Sequence, residues 1–509
     1  MPRTMLQLRI EALSHHLAQA QDPSVWKQTL YLPTFNVDDR LWYMAVEKIH
    51  FEARQLHRKL DDLAGRLDAG DISERDGWRR YTAVQSASEE VFRECLDLLG
   101  GLALRDRIQG ERICRIADEY IKELSSDTGR RESFAIPGMD IRGVDVRLFS
   151  TLRRVAMVQF PEWSVWTLPL VAHEYGHVVV EESGLKNYAR GLTENATTEE
   201  IRNSHQPLEQ ELDKLGLGLR PVVQILGRGD ADEEAMPELM ALRLNAQPAG
   251  ADLGNPAAAA LENQVEQVKA VHTRQQRRIR ILLADAIATL LAGPAYAYAA
   301  LLLRLNPLAV NGDGTSDHER AATILAVLRL MNQVEVGPPR HGTVVDDLAE
   351  YWRASSAAAQ GEPADRAAPQ LDGNPVIDPN GVREAFRNQI AGYKRALYEA
   401  EHSMQAVRWG EAWRSDLEYG HPLVAPPPNG NKHLREALNA AWRARIGATQ
   451  DLERPDNDEA KRRVELLEEV SLRLCDSIAD SRRQSRTTID PGGGTDPGRA
   501  QRVGWAGGG

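Results

Sequence analysis

Apolar residues recur at three- and four-residue spacing along most of the chain, a pattern that predicts a mostly α-helical protein. Six of the predicted helices lie towards the two ends of the sequence. They cover about 37–69, 73–99, 110–124, 381–409, 432–446 and 457–486. We expect these helices to bury their apolar stripes in helical hairpins or a small bundle.

The pattern changes between residues 133 and 166, where short apolar segments favour strands. Val144–Leu148 and Val155–Phe160 are the best strand candidates, although the second also fits the continuation of a helix from Arg147. Pro137-Gly138 predicts a turn before them. The sequence therefore predicts a small edge sheet at most.

One predicted helix, over about 168–183, is apolar on most sides, with Thr167 as a plausible N-cap and Gly184 as its stop. It contains His173, Glu174 and His177 as the motif H-E-x-x-H. Residues four apart share a helix face, so both imidazoles aim at one point. The carboxylate of Glu174 lies at the next position around the helix from His173.

A zinc hydrolase needs this grouping: two neutral nitrogen ligands, an open coordination position for water, and a carboxylate that takes the water's proton. The motif therefore predicts a zinc site with Glu174 as general base. The alternative is a coincidental pair of core histidines.

A second apolar segment runs from Ile281 to Leu303 and carries no charge after Asp285. Its length approaches that of a membrane span. It is rich in alanine and interrupted by Gly293-Pro294, so we expect the buried helix of a large domain, with the span as the alternative.

Two histidines do not complete a zinc site, which needs a third protein ligand. Asp285 is the best candidate, because a lone carboxylate in an apolar helix needs a partner. The alternative is an acid that faces the helix dipole. Glu233, Glu234 and Glu238 are weaker candidates because they lie in an acidic run that is expected to be exposed.

Tyr296 follows Asp285 by eleven residues, close to three helical turns. It projects towards the same place if the helix continues through Pro294. A tyrosine there would stabilise an oxyanion, and the alternative is an ordinary packed side chain.

The order of these elements, over about residues 150–330, resembles gluzincin-type zinc metallopeptidases, particularly the CAAX-prenyl-protease group and its soluble relatives. In that group a later helix carries E-x-x-A-D, and a following segment carries a histidine and an arginine near the metal. Ala284-Asp285 matches the end of the first pattern, and His318 and Arg320 stand for the second. Ile281 occupies the place of the family's glutamate ligand. The resemblance thus implies either that Asp285 is the ligand or that the site is degenerate.

Composition narrows the range of functions. The net charge of −12 argues against nucleic acid as a partner. The three cysteines lack metal-type spacing, which favours a reducing compartment, and the N-terminus lacks an apolar signal core. We therefore expect a soluble, cytoplasmic protein.

The predicted division of the 509 residues has five parts. They are a helical N-terminal region at 1–130, a zincin-like metallopeptidase core at 131–350 with a helical insertion at about 187–280, a linker at 351–380, a helical C-terminal region at 381–486 and a disordered tail at 487–509.

The function predicted from the sequence is that of a zinc-dependent peptidase acting on a protein or peptide. His173, His177 and Asp285 hold Zn²⁺, and Glu174 is the catalytic base. One alternative is a catalytically inactive helical interaction protein on a degenerate peptidase scaffold. Another is a membrane-embedded peptidase that uses residues 286–303 as its span. The oligomeric state stays open.

Overall fold

The structure of the chain, a computed structural model, is mostly α-helical, which confirms the predicted fold class. It describes residues 5–21, 39–73, 76–89, 91, 108–128, 134–138, 152–156, 164–182, 185–214, 217–228, 255–309, 315–333, 344–360, 377–389, 397–398, 400–424, 433–450 and 458–489.

The labelled helices follow in chain order. They are α1 (Met5–Ala20), α2 (Asp39–Asp68), α3 (Ile108–Thr128), α4 (Val171–Glu182), α5 (Leu185–Ser204), α6 (Gln206–Lys214), α7 (Leu219–Arg228), α8 (Asn255–Ala292), α9 (Pro294–Ala299), α10 (Asp317–Asn332), α11 (Val344–Gln360), α12 (Pro379–Gln389), α13 (Ala400–Glu418), α14 (Leu434–Gln450) and α15 (Asp458–Ile489). Residues 76–89 are also helical.

The sequence predicts several of these helices to within a few residues of their ends, notably α2, α3, α14 and α15. The predicted helix over 381–409 is interrupted, because residues 397–398, between α12 and α13, are not helical. Part of the predicted linker is helical, because α11 continues to Gln360. Most of the predicted tail lies outside the described residues.

The motif helix, α4, is entered through a 3₁₀ turn, Val165–Leu170. The cap of this turn is Ser164, whose hydroxyl accepts a hydrogen bond from the Trp166 amide at 3.1 Å. The predicted cap, Thr167, lies inside the turn and donates its own hydroxyl to the Ser164 carbonyl at 3.0 Å. The prediction of Thr167 as the cap was therefore wrong, because the helical structure starts three residues earlier.

The central helix, α8, is long and packs against α4, α5, α7 and α10. It runs antiparallel to the motif helix, since His173 contacts Asp285 whereas Glu181, further along α4, contacts Arg280. The two helices approach closely at Gly176, where a Cβ atom would lie 2.7 Å from the Ala284 carbonyl oxygen. Glycine in the motif is thus required by packing.

Residues 282–301 are buried, which confirms that this apolar segment belongs to the core. The central helix ends at Ala292, and α9 begins at Pro294 after Gly293, whose φ of 69° is in the left-handed region. A π turn, Ala300–Arg304, follows α9. Among the helices that the structure describes, none has an apolar stretch long enough to span a bilayer.

Two short strands, β1 (Phe134–Gly138) and β2 (Leu152–Ala156), pair in parallel, with Phe134 opposite Leu152. Strand β2 overlaps the start of the second strand candidate and lies against the motif helix. Pro137-Gly138 falls inside β1 rather than forming a turn. The first candidate, Val144–Leu148, lies outside the described residues.

The chain forms two compact units, Met1–Ser403 and Met404–Gly509. This division falls after the predicted linker and does not separate the predicted insertion, which would end in the middle of the central helix. All the candidate site residues belong to the first unit. In the second unit, α14 packs on α15 and buries Arg435 and Trp442.

Candidate metal centre

The two histidines of the motif face each other through the same ring nitrogen. Nε2 of His173 and Nε2 of His177 are 3.2 Å apart, and the rings lie nearly perpendicular, at 84°. Two nitrogens bound tetrahedrally to zinc at ordinary Zn–N distances lie about 3.3 Å apart. The pair therefore has the spacing that one shared zinc ion requires.

Both imidazoles are held in the neutral form that a metal ligand needs. Burial lowers the pKa of His173, and although the nearby Asp285 carboxylate opposes this effect, the pKa stays below its usual value. Burial together with His173 lowers the pKa of His177 further.

Asp285 is fully buried and contacts the opposite nitrogen of His173. Its Oδ1 lies 2.7 Å from Nδ1 of His173 and also accepts a hydrogen bond from the Tyr296 hydroxyl. The Arg320 guanidinium donates to both carboxylate oxygens, at 2.8 and 2.9 Å. Burial raises the pKa of Asp285, but the charge of Arg320 and the hydrogen bonds from Arg320 and His173 outweigh it and hold this pKa far below its usual range.

This placement corrects the expected role of Asp285. Asp285 is predicted from the sequence as the third zinc ligand, whereas in the structure it contacts Nδ1 of His173, and both of its oxygens accept hydrogen bonds from Arg320. A carboxylate on Nδ1 fixes the proton there and leaves the Nε2 lone pair for a metal. Asp285 thus orients His173, a candidate ligand. The same contact gives the buried Asp285 carboxylate the partner that the sequence predicts.

Tyr296 is fully buried and reaches the site by an unexpected path, since the helix breaks at Gly293. Its hydroxyl lies 3.3 Å from Nδ1 of His173 and donates to Asp285. Burial raises the pKa of Tyr296 well above its usual value, so the hydroxyl stays protonated. It supports the carboxylate on the Nδ1 side, which is not the oxyanion role that the sequence analysis considered.

Arg320 comes from α10, whose start is fixed by a capping box between Ser316 and Glu319. Its pKa is raised because the attraction of Asp285 outweighs burial. His318, the other residue named from the family pattern, lies beside α11 instead, where its Nδ1 is 3.4 Å from Trp352 Nε1. Of these two residues, the arginine contacts Asp285 and the histidine does not lie at the site.

The register of the two helices relates Ile281 to the pair of histidines. In the antiparallel pair, Ile281 lies one turn before Asp285 and therefore level with His177, one turn after His173. Isoleucine has no atom that binds a metal. The described residues contain no group of three or more His, Cys, Asp or Glu placed to hold a metal ion. Glu233, Glu234 and Glu238 lie outside the described residues.

Glu174 is partly buried, and its Oε1 lies 3.9 Å from an Nη atom of Arg304. The side chain of Arg304 is only 4% exposed. Sequence reasoning did not identify Arg304, although it is the first charged residue after the long uncharged segment that follows Asp285. A charge at the end of a buried apolar run is a signal that could have identified it.

Comparison of the chain with models of protein families, with curated proteins and with solved structures found no match. The resemblance to gluzincin-type peptidases stays a prediction that rests on the motifs alone.

Proposed function

We propose that the chain is a zinc-dependent peptidase whose centre is built on His173 and His177. The observation that supports this most directly is the 3.2 Å separation of their Nε2 atoms, together with the Asp285 carboxylate on Nδ1 of His173. Two neutral, converging imidazoles, one of them oriented by a carboxylate, are a common arrangement in protein zinc sites.

The residues present fit zinc at two of its protein-ligand positions. His173 and His177 would hold the ion through Nε2. When bound, zinc supplies a Lewis acid that polarises a peptide carbonyl and makes water acidic enough to lose a proton near neutral pH.

Glu174 lies one position along the helix from His173, which is the position of the general base in the H-E-x-x-H motif. It accepts the proton of the attacking water and passes it to the leaving amine. Asp285 holds His173 in the required tautomer, and Arg320 and Tyr296 hold Asp285. These three are positioning residues, because they act through His173.

The variant Glu174→Gln tests this proposal. It keeps the size of the side chain and removes the base, so we expect unchanged zinc content and a loss of peptide hydrolysis of roughly 10²–10⁴-fold. Zinc is measured in the purified protein, and hydrolysis is measured on a peptide library by mass spectrometry. A zinc content near zero under zinc-replete conditions rejects the proposal.

One observation favours a second function, that of an inactive helical interaction protein on a degenerate peptidase scaffold. Ile281 stands where the peptidase group that the motifs resemble has its glutamate ligand. Chelation separates the two proposals, because a metal that binds only the folded state raises its stability. A melting temperature unchanged by chelation, with no hydrolysis of the library, supports the inactive scaffold.

A further inference from the structure

The turn that ends at Arg304 has an irregular backbone. The amide of Leu305 donates to the Ala300 carbonyl at 2.8 Å, five residues back, and residues 300–304 form a π turn. Such turns are rare inside helical segments and are frequent at functional sites. Arg304 is the last residue of this turn, so the π turn determines where its side chain projects.

The π turn changes the direction in which Arg304 projects. Tyr296 lies eight residues earlier, on α9, and already points at Asp285. In an unbroken α-helix, eight residues would rotate Arg304 by roughly 80° away from the face of Tyr296. Because a π turn holds more residues than an α-helical turn, it reduces this offset and brings both side chains to the same site.

Arg304 and Arg320 are both buried at the site, but they are engaged differently. Arg320 donates two hydrogen bonds to Asp285, at 2.8 and 2.9 Å. The ion pair of Arg304 with Glu174 is 3.9 Å long, beyond hydrogen-bonding distance.

A guanidinium in this place repels a cation and attracts an anion. It has five N–H donors in a planar fork, and the contact with Glu174 sets it beside the general base. In amide hydrolysis, the group that gains negative charge beside the base is the carbonyl oxygen.

We propose that Arg304 binds the carbonyl oxygen of the scissile amide and stabilises the oxyanion that forms on it. The water oxygen bonds to the carbonyl carbon, the C=O π pair moves to the oxygen held by Arg304, and Glu174 takes the water's proton. As the oxyanion re-forms the C=O bond, the C–N bond breaks and that proton passes from Glu174 to the amine. This role rests on the proposed peptidase function.

The first test uses inorganic phosphate as a tetrahedral oxyanion probe and the full-length, zinc-loaded protein. By calorimetry, we expect Arg304→Met to weaken phosphate binding by roughly tenfold or more, the effect of losing a charge-assisted hydrogen bond. Zinc affinity, from competition with a chelating indicator, should stay the same or rise, since a nearby positive charge is removed.

Arg280→Met is the matched control, because Arg280 also forms an ion pair with a glutamate of the motif helix, Glu181, at 3.1 Å. We expect it to leave phosphate affinity unchanged. Arg304→Lys keeps the charge without the planar fork and should give an intermediate loss. If Arg304→Met does not fold, a wild-type phosphate affinity in Arg304→Lys overturns the proposal.

The second test is kinetic, on any peptide that the library identifies. Arg304→Met should lower kcat by roughly 10²–10³-fold with little change in KM, as for loss of an oxyanion donor. A change in KM alone would instead assign Arg304 to a charged group of the substrate and overturn the proposal. Zinc binding with equal phosphate affinity in wild type and Arg304→Met rejects this role alone, whereas failure to bind zinc rejects the peptidase function and this role with it.

Discussion

The two ring nitrogens of His173 face differently built surroundings. On the Nδ1 side, Asp285, Arg320 and Tyr296 come from three different helices and meet at hydrogen-bonding distance. On the Nε2 side, His177 lies at 3.2 Å, and the ion pair between Glu174 and Arg304 is longer, at 3.9 Å. The difference shows that the contacts at hydrogen-bonding distance hold the Nδ1 side of the ring, which is consistent with the proposed metal on the Nε2 side.

Removing the carboxylate from the Nδ1 side should have the largest effect on stability. Asp285→Ala leaves the buried charge of Arg320 without its bidentate partner, which destabilises a protein by about 3–5 kcal/mol. Chemical denaturation of the metal-free protein measures this change in the free energy of unfolding.

Glu181→Gln is the control for that variant, because it breaks the Arg280–Glu181 pair between the same two helices nearer to solvent. For this pair we expect a loss under about 1 kcal/mol. Equal losses in the two variants would contradict the view that the Nδ1 side is the rigid part of the site.

The Nε2 side is tested by adding a ligand instead of removing one. Ile281→Glu places a carboxylate level with His177, so we expect zinc affinity to rise by on the order of tenfold or more. Competition with a chelating indicator measures it, and Ile281→Gln is the uncharged control. An unchanged affinity would show that the third ligand position is already filled from elsewhere in the chain.

The pH dependence of stability gives a graded effect, which is small near neutral pH. Burial lowers the pKa of both histidines below 6.5, so below that pH the unfolded chain binds more protons than the folded one. Stability of the metal-free protein should therefore fall as pH falls below about 6.5, by up to about 1.4 kcal/mol per pH unit for each histidine. Denaturation at a series of pH values measures the slope, and His177→Gln should reduce it. An equal slope in that variant would contradict the neutral, buried pair.

Much of the fold could be predicted from the sequence because the helices are amphipathic and because each helix is formed by residues close together in the sequence. The insertion boundary near residue 280 could not, since the central helix passes from a polar to an apolar environment without ending. The change in hydrophobicity at that point marks entry into the core and does not mark a new element.

The candidate site was predictable only in part, because sequence spacing gives the face of a helix but not the contacts between helices. The H-E-x-x-H spacing places His173 and His177 on one face, and the structure brings them together. Asp285 was identified because a lone acid in an apolar helix needs a partner, but spacing cannot tell which ring nitrogen it contacts. Arg304 depends on a π turn, whose occurrence the sequence pattern does not reveal.

The central claim is that His173 and His177 together hold a zinc ion, and the most direct test is zinc stoichiometry in single-histidine variants. We expect about one zinc ion per chain in the wild type and a loss of zinc in His173→Ala and in His177→Ala. His272→Ala is the control, because His272 is also buried and neutral but pairs with Thr197, 3.3 Å away, outside the site. Retention of zinc in both His173→Ala and His177→Ala, or its absence from the zinc-replete wild type, would contradict the account.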